Sequence, residues 1–181
     1  LAFAGLEIKP CHVGFDQIDN SRRMITLDPF SLDGATEVGM KTVQQLLESK
    51  RSGVVSVRPE TSVFDALKLM ADKEIGAVLV LEGDHLAGIL SERDYARKVV
   101  LHGKSSRDTP VSEIMTSKLT CIDPEHSVEE CMGLMSDKRI RHLPVLDHKK
   151  VIGIISIGDV VKEMLSEKEF VIKQLESYIH S

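Results

Sequence analysis

The sequence has 181 residues, of which 42% are hydrophobic and 28% charged, a balance ordinary for a soluble globular protein. Its formal net charge of -5 argues against a general nucleic-acid binder or a binder of anionic membranes. The longest apolar runs, such as residues 77–81, are far shorter than the roughly 18 residues that a membrane helix needs, and no signal peptide is recognisable. We therefore expect neither nucleic acid nor a membrane as a partner.

The cysteines are three, Cys11, Cys121 and Cys131, and no two of them have the C-x-x-C spacing of a zinc or redox site. Cys121 falls in a predicted strand and Cys131 on the apolar face of a predicted helix, where a cysteine behaves as a small hydrophobe. The simplest interpretation is a reducing, cytoplasmic setting without a structural metal.

Residues 1–41 form an N-terminal extension with an irregular hydrophobic pattern, broken by several prolines and glycines. We expect this segment to be disordered or loosely packed. Met40 stands just before the first periodic segment, which suggests that it is the working start or that the leader is dispensable.

The centre of the chain is a tandem repeat. Residues 57–100 and 122–165 align without a gap at an offset of 65, with 15 identities in 44 positions. Repeats of this kind are typical of units that bury their apolar faces against one another. The sequence predicts repeat 1 over residues 42–103, a connector with repeat 2 over residues 104–165, and a C-terminal helix over residues 166–181.

The pattern inside each repeat predicts the order β-α-β-β-α. In repeat 1, Thr42 caps a lead-in helix, residues 54–57 form a strand, and Ser62 caps a helix with apolar residues at helical spacing. Two strands over residues 75–81 and 86–90 follow, and Ser91 starts the next helix. Repeat 2 has strands over residues 119–122, 142–146 and 151–155, with helices starting at Ser127 and Ser156, and residues 111–115 resemble the first lead-in helix.

The C-terminal helix carries an apolar stripe that continues beyond the repeats, at Leu165, Val171, Leu175, Tyr178 and Ile179. An apolar helix face needs a partner but does not name it. The helix either lies back on its own module or forms a subunit contact, and the sequence does not separate the two.

A serine followed by an aspartate three residues later, after a glycine and an apolar run, occurs at Ser91/Asp94 and at Ser156/Asp159. The pattern first indicates a capping box at a helix start. A capping box requires neither the glycine nor an aspartate in both copies, whereas a ribose ligand would use the aspartate as acceptor and the helix amides as donors.

These motifs resemble those of the cystathionine-beta-synthase (CBS) domain family of paired regulatory modules, over about residues 42–165. Residues 91–98 and 139–145 are similar to small stand-alone CBS-pair proteins. The resemblance implies a mixed α/β fold of the α+β kind, with tandem β-α-β-β-α repeats packed as one pseudo-symmetric module. It also implies a nucleotide site, with Ser91 and Ser156 near the phosphate or ribose, Asp94 and Asp159 on the ribose, and the adenine held around Val57, Ala77, Ile122, His142 and Pro144.

Basic residues are distributed unequally between the two copies. Arg93 and Arg141 are candidate phosphate contacts, because a guanidinium suits a phosphate. His142 is a candidate ligand contact or a buried core histidine. Arg97, Lys98 and Arg139 are better explained as solvated or ion-paired side chains, and Lys98 stands at helical spacing from Asp94. We expect the two sites to differ in affinity.

The sequence favours a regulatory module without catalysis or a catalytic cofactor, since no metal spacing and no nucleophile elbow is present. The expected ligands are AMP, ADP, ATP or NAD, and behind them S-adenosylmethionine. A homodimer and a separate, unidentified regulated protein are the expected partners. The alternatives are a constitutive protein-interaction module that binds no nucleotide, and a nucleotide hydrolase.

Overall fold

The computed structural model describes residues 41–50 and 53–179, which lie within one compact unit over Met40–Ser181. The expectations for the N-terminal extension and for Met40 as a start lie outside the described residues. The helices are α1 (Val43–Lys50), α2 (Val63–Asp72), α3 (Glu92–Lys98), α4 (Val128–Asp137) and α5 (Ile157–Ile179). The strands are β1 (Ser56–Val57), β2 (Ala77–Glu82), β3 (His85–Ser91), β4 (His142–Asp147) and β5 (Lys150–Ser156), and 3₁₀ turns cover Val100–His102 and Val111–Glu113.

The two repeats have the same hairpin. In repeat 1, β1 is parallel to β2 and β2 is antiparallel to β3, while in repeat 2 β4 is antiparallel to β5. Gly88 pairs with Val80, Gly153 pairs with Val145, and a register shift follows each of these pairs. The predicted α+β fold with tandem repeats is therefore confirmed, down to matching irregularities in the two ladders.

The strand predicted over residues 119–122 is wrong in extent, since it is reduced to a single parallel bridge between Ile122 and Val145. In repeat 1 the backbone amide of Leu79 donates to the Val55 carbonyl and extends the pairing of β1 with β2. The equivalent position in repeat 2 is Pro144, which has no amide hydrogen to donate. The ladder therefore stops after one bridge.

The helix boundaries follow local chemistry. The hydroxyls of Ser62 and Ser127 accept from the amides of Asp65 and Glu130, which caps α2 and α4 at their N-termini. Each of these helices is followed, after one capping residue, by a residue with positive φ, Glu74 (53°) after α2 and Arg139 (52°) after α4. The next amide, of Ile75 or Ile140, returns to a carbonyl five residues back, which is the Schellman arrangement.

Each repeat has a lead-in segment, α1 for repeat 1 and residues 111–116 for repeat 2, and each segment packs against the other repeat. Val43 and Leu46 of α1 lie in the core of repeat 2, and Val111 and Ile114, from the segment before repeat 2, lie in the core of repeat 1. The bridges between Thr42 and Ser127 and between Ser62 and Pro110 fix the same exchange in the backbone. Each core is thus completed by residues distant in sequence from the strands that they cover.

The exchanged segments press directly on the two strand glycines. A Cβ at Gly153 would lie 2.6 Å from Leu47 Cδ2, and a Cβ at Gly88 would lie 2.8 Å from Met115 Sδ and 3.0 Å from the Thr116 carbonyl oxygen. Only glycine allows this approach, which explains why a glycine stands at both positions.

Helix α5 packs on the module only through its first half. Its first half packs through Val160 and Met164 against the core of repeat 2, whereas every described side chain from residue 168 to residue 179 is exposed. For this half of the helix, the described residues of the module provide no packing surface.

Cys131 is buried in the core of repeat 2, as expected. Burial and the nearby charges of Glu130, Asp123 and Glu129 raise the pKa of its thiol to about 11, so it stays protonated. No helix among the described residues is both long and apolar enough to cross a membrane.

We predict that Gly88→Ala destabilises the fold by about 1 to 3 kcal/mol, the usual cost of overpacking, because the Thr116 carbonyl cannot rotate away as a side chain can. The matched control is Gly133→Ala in α4, where an added Cβ meets nothing within 4 Å. That change should stabilise the protein by up to about 1 kcal/mol through helix propensity. Urea unfolding measures both, and equal effects of the two substitutions would contradict the close approach.

Candidate functional site

The two Ser/Asp motifs form the same local structure. In each, the serine hydroxyl donates to an aspartate Oδ2, at 2.6 Å for Ser91/Asp94 and 2.7 Å for Ser156/Asp159, and accepts from the aspartate amide at 3.2 Å. The serine amide donates to the same Oδ2, at 3.1 Å and 2.7 Å. The capping interpretation is therefore correct for both copies, and any ligand must bind in addition to it.

Asp94 is occupied at both carboxylate oxygens. Besides the bonds from Ser91 to Oδ2, Lys98 Nζ lies 2.8 Å from Oδ1 and the Thr116 hydroxyl donates to Oδ1 at 3.1 Å. Lys98 also donates to the Ile114 carbonyl at 2.7 Å, which ties α3 to the exchanged segment. The ion pair expected from the spacing of Asp94 and Lys98 is present.

Asp159 has an open oxygen. Lys50, at the end of α1, donates to Asp159 Oδ2 at 2.8 Å and to the Ile154 carbonyl at 3.3 Å. No hydrogen bond from a described residue reaches Asp159 Oδ1. The two aspartates therefore differ in what they can still accept.

Both aspartates are ionised. Burial alone would raise their pKa values, but hydrogen bonds from Lys98 and Ser91 to Asp94, and from Lys50 and Ser156 to Asp159, outweigh it. Each pKa lies below the ordinary value of 3.8. At neutral pH each carboxylate is an acceptor.

His142 lies between the two motifs. It pairs with Ser156 across β4 and β5, and the charges of Asp159 and Asp94 both act on it. Burial lowers the pKa of its imidazole below 6.5, helped by Lys50 and Arg141 and partly opposed by the two aspartates. His142 is therefore a neutral, partly buried histidine at neutral pH.

A cleft of about 370 Å³ opens beside this strand pair, and Arg93 of repeat 1 meets Arg139 and Arg141 of repeat 2 at it. Arg93 donates to the Arg139 carbonyl at 3.2 Å, so the contact joins the two repeats. The rest of the lining is mostly apolar and comes from α4, the following turn and α5, at Met132, Met135, Ser136, Ile140 and Ile157.

The equivalent place in repeat 1 has the opposite charge. At the 65-residue offset, Glu74 replaces Arg139, Gly76 replaces Arg141 and Glu92 replaces Ile157. The carboxylate of Glu92 lies over Gly76, 3.5 Å from where a Cβ would be. The positions that are basic at the cleft of repeat 2 are therefore not basic in repeat 1, where two glutamates occur instead.

The residues expected around the adenine are not all gathered together. Ala77 pairs with Ser91, but Val57 pairs with Val80, three residues further along β2. Pro144 is buried, and Ile122 belongs to the core of repeat 2, with its amide and carbonyl both bonded to β4. The structure forms two neighbouring groups: Arg93, Arg139 and Arg141 line the cleft, while His142 pairs with Ser156 and Ser156 bonds Asp159. Arg141 and His142 are adjacent in sequence and connect the two groups.

Three residues at the candidate site were not predicted as site residues from the sequence. Lys50 is 109 residues from Asp159 and Thr116 is 22 residues from Asp94, so neither could be paired without knowing the exchange of lead-in segments. Arg139 was treated as surface, although its turn places it at the cleft. No group of three histidine, cysteine or acidic side chains suited to a metal occurs in the described part of the chain.

We predict that the protein loses stability as the pH falls below about 6.5, because the unfolded chain then takes up a proton at His142 that the folded protein resists. For one group the slope is at most about 1.4 kcal/mol per pH unit. His142→Gln should remove this component between pH 7 and pH 5, before the two aspartates begin to titrate. Unfolding free energies at several pH values measure it, and parallel profiles for the two proteins would contradict it.

Both repeats match a known protein family. The family model of the CBS domain matches residues 46–101 and 111–166. The chain is 44% identical over 125 residues to "CBS domain-containing protein CBSX3, mitochondrial" of Arabidopsis thaliana, a match that covers 66% of this chain and 61% of that protein.

Solved structures similar to this chain also contain CBS domains. A putative signal-transduction protein with CBS domains from Burkholderia ambifaria is 52% identical, with a TM-score of 0.66 over 70% of this chain and 95% of that one. The hexameric CBS-CP12 protein from bloom-forming cyanobacteria is 33% identical, with a TM-score of 0.60 over 67% and 69%. None of these three names describes an enzyme. The two family matches fall on the two structural repeats and together span more than half of the sequence, and the chain therefore belongs to the CBS domain family.

Proposed function

We propose that this chain is a regulatory module that binds an adenine nucleotide, one of AMP, ADP, ATP or NAD, at the basic cleft of repeat 2. CBS domain pairs are modules of ligand binding and regulation, and their ligands generally contain adenine. For this chain we assign nucleotide binding to the cleft of repeat 2 and to specific side chains around it.

The observation that carries the proposal is the convergence of three guanidinium groups without counter-ions. Arg93, Arg139 and Arg141 line one cleft, and none of them forms an ion pair with a described residue. The three side chains are exposed, so water and salt screen their mutual repulsion, and a bound anion would add an attraction to each of them. Guanidinium forks match phosphate oxygens in geometry, so a phosphate group is the ligand part that they suit.

The neighbouring motif suits the ribose. Asp159 Oδ1 is ionised and has no donor among the described residues, so it can accept from the vicinal hydroxyls of a ribose. His142, neutral and partly buried between the motif and Arg141, can contact the sugar or the base. Ser156 keeps its capping role and orients the aspartate.

Repeat 1 is proposed to bind nucleotide weakly. Both oxygens of Asp94 are satisfied by Ser91, Lys98 and Thr116, so a ribose would have to displace one of them. Glu74 and Glu92 would repel a phosphate where repeat 2 attracts one. The expected difference in affinity between the two sites thus has a structural basis.

The proposed signal is a population shift. A phosphate held by Arg93 of repeat 1 and by Arg139 and Arg141 of repeat 2 binds best when the two repeats are close, so it favours that arrangement over more open ones. The regulated partner would respond to this arrangement. We propose that the nucleotide is bound without chemical conversion. We also propose that the protein works in the reducing cytoplasm and self-associates.

We predict that Asp159→Asn weakens nucleotide affinity about tenfold, which corresponds to about 1.4 kcal/mol. Asp94→Asn removes the same charge from the matching motif and should leave the affinity within about twofold. Titration calorimetry with AMP, ADP, ATP and NAD measures both variants. If Asp94→Asn alone abolishes binding, the working site is in repeat 1 and the assignment is wrong. If the folded wild-type protein binds none of the four, the interaction-module alternative is preferred.

We also predict that Arg139→Gly raises stability by up to about 1 kcal/mol while it weakens binding severalfold. Arg139 has a φ of 52°, a conformation that glycine adopts without strain. Glu74→Gly is the matched control, because Glu74 has a φ of 53° at the same turn of repeat 1. It should give the same stabilisation with undiminished binding. Thermal unfolding with and without nucleotide reads both effects, and a loss of binding in both variants would argue that the turns, not the charge, matter.

A further inference from the structure

The exposed apolar surface of this module is concentrated on one helix. Among the described residues, eight of the twelve large hydrophobic side chains that are exposed lie on α5, and they include Tyr178 and Ile179, each more than three quarters exposed. The last twelve residues of α5 extend about 18 Å beyond the module at 1.5 Å per residue. An apolar patch of this kind on a protein usually marks an interface.

The spacing of these side chains identifies the kind of partner. Val161, Leu165, Lys168, Ile172, Leu175 and Ile179 follow one another at intervals of four and three residues. This alternation is the a/d repeat of a coiled-coil seam, which is filled by another helix. We call Val161, Leu165, Ile172, Leu175 and Ile179 the tail stripe. Lys168 is its one polar interruption.

We propose that the tail stripe pairs with the α5 helix of a second copy of this chain, in antiparallel orientation about a two-fold axis between Lys168 and Ile172. The same patch then serves on both copies, as a two-fold interface requires.

The residues that would face each other across the seam support this arrangement. The antiparallel pair forms the layers Val161 with Ile179 of the second copy, Leu165 with Leu175, and Lys168 with Ile172. Each layer occurs twice by symmetry, and no residue of the seam is left without an opposite residue. The aliphatic stem of Lys168 can cover Ile172 of the second copy while its ammonium group reaches water.

Charge supports it as well. In a parallel pair in register, Lys168 would face Lys168 of the second copy inside the seam, and the two ammonium groups would repel. In the antiparallel pair the two lysines are separated, and Lys162 of one helix comes beside Glu176 of the other, twice by symmetry. These two attractive pairs oppose one repulsive pair, Glu169 with Glu169 of the second copy, at the exposed edge of the seam. The tail stripe lies outside the nucleotide cleft, so this pairing does not depend on nucleotide binding, although it rests on the self-association proposed above.

The test is the assembly mass of the 181-residue chain, measured by light scattering and sedimentation at micromolar concentration. The variant Ile172→Glu/Leu175→Glu should at least halve the mass, without a change in thermal midpoint beyond a few degrees, because both side chains are exposed in the single chain. The matched control is Phe170→Glu, which changes an exposed aromatic residue on the opposite side of the same helix and should leave the mass unchanged.

Orientation is tested by oxidative cross-linking of single-cysteine additions. An equimolar mixture of Leu165→Cys and Leu175→Cys should give a disulfide-linked dimer, whereas Leu165→Cys alone should give none beyond the level of the parent protein. Self-cross-linking of Leu165→Cys would indicate a parallel pair and overturn the proposed orientation. A wild-type chain that sediments as a monomer, or a mass that the double glutamate variant does not change, would overturn the pairing and leave the stripe to a different protein or to the chain's own first 40 residues. Nucleotide affinity should be the same in all these variants, which separates this proposal from the preceding one.

Discussion

The contact on which the rest of this structure depends is the approach of an exchanged lead-in segment to a glycine of a β-strand. Leu47 lies on Gly153 and Met115 lies on Gly88, so close that a Cβ at either glycine would displace the side chain, and at Gly88 it would also meet the Thr116 carbonyl. Because the segment that leads into each repeat packs in the core of the other repeat, neither repeat has a complete core alone. One continuous module with two similar halves follows from this exchange.

The same exchange makes the two halves chemically different. It brings Lys50 to the aspartate of repeat 2 and Thr116 to the aspartate of repeat 1. Two identical Ser/Asp motifs thus acquire different surroundings, one with an open carboxylate oxygen and one with both oxygens bonded. The arginines amplify the difference, since Arg139 and Arg141 line the cleft of repeat 2 where repeat 1 has Glu74 and Gly76. The two repeats share one fold, and differences at a few positions make the cleft of repeat 2 basic.

Most of the fold could be predicted from the sequence, because it depends on local patterns: the repeat offset, the capping serines and the alternation in the hairpins. The prediction was wrong where one residue changed the backbone chemistry, as at Pro144, whose missing amide shortens a strand to one bridge. The site was predictable for the Ser/Asp motifs and for Arg93 and Arg141 as neighbours of a cleft. Lys50 and Arg139 were not predicted as parts of it, because the first depends on contacts over 100 residues and the second on a turn with positive φ. No local pattern contains that information.

A crystal structure of the protein grown with its tightest-binding nucleotide would show whether the basic cleft of repeat 2 receives the phosphate. We expect the phosphate among Arg93, Arg139 and Arg141 and a ribose hydroxyl bonded to Asp159, with no nucleotide at Asp94 at moderate nucleotide concentration. A nucleotide bound instead at Asp94, with the three arginines exposed to solvent, would contradict it.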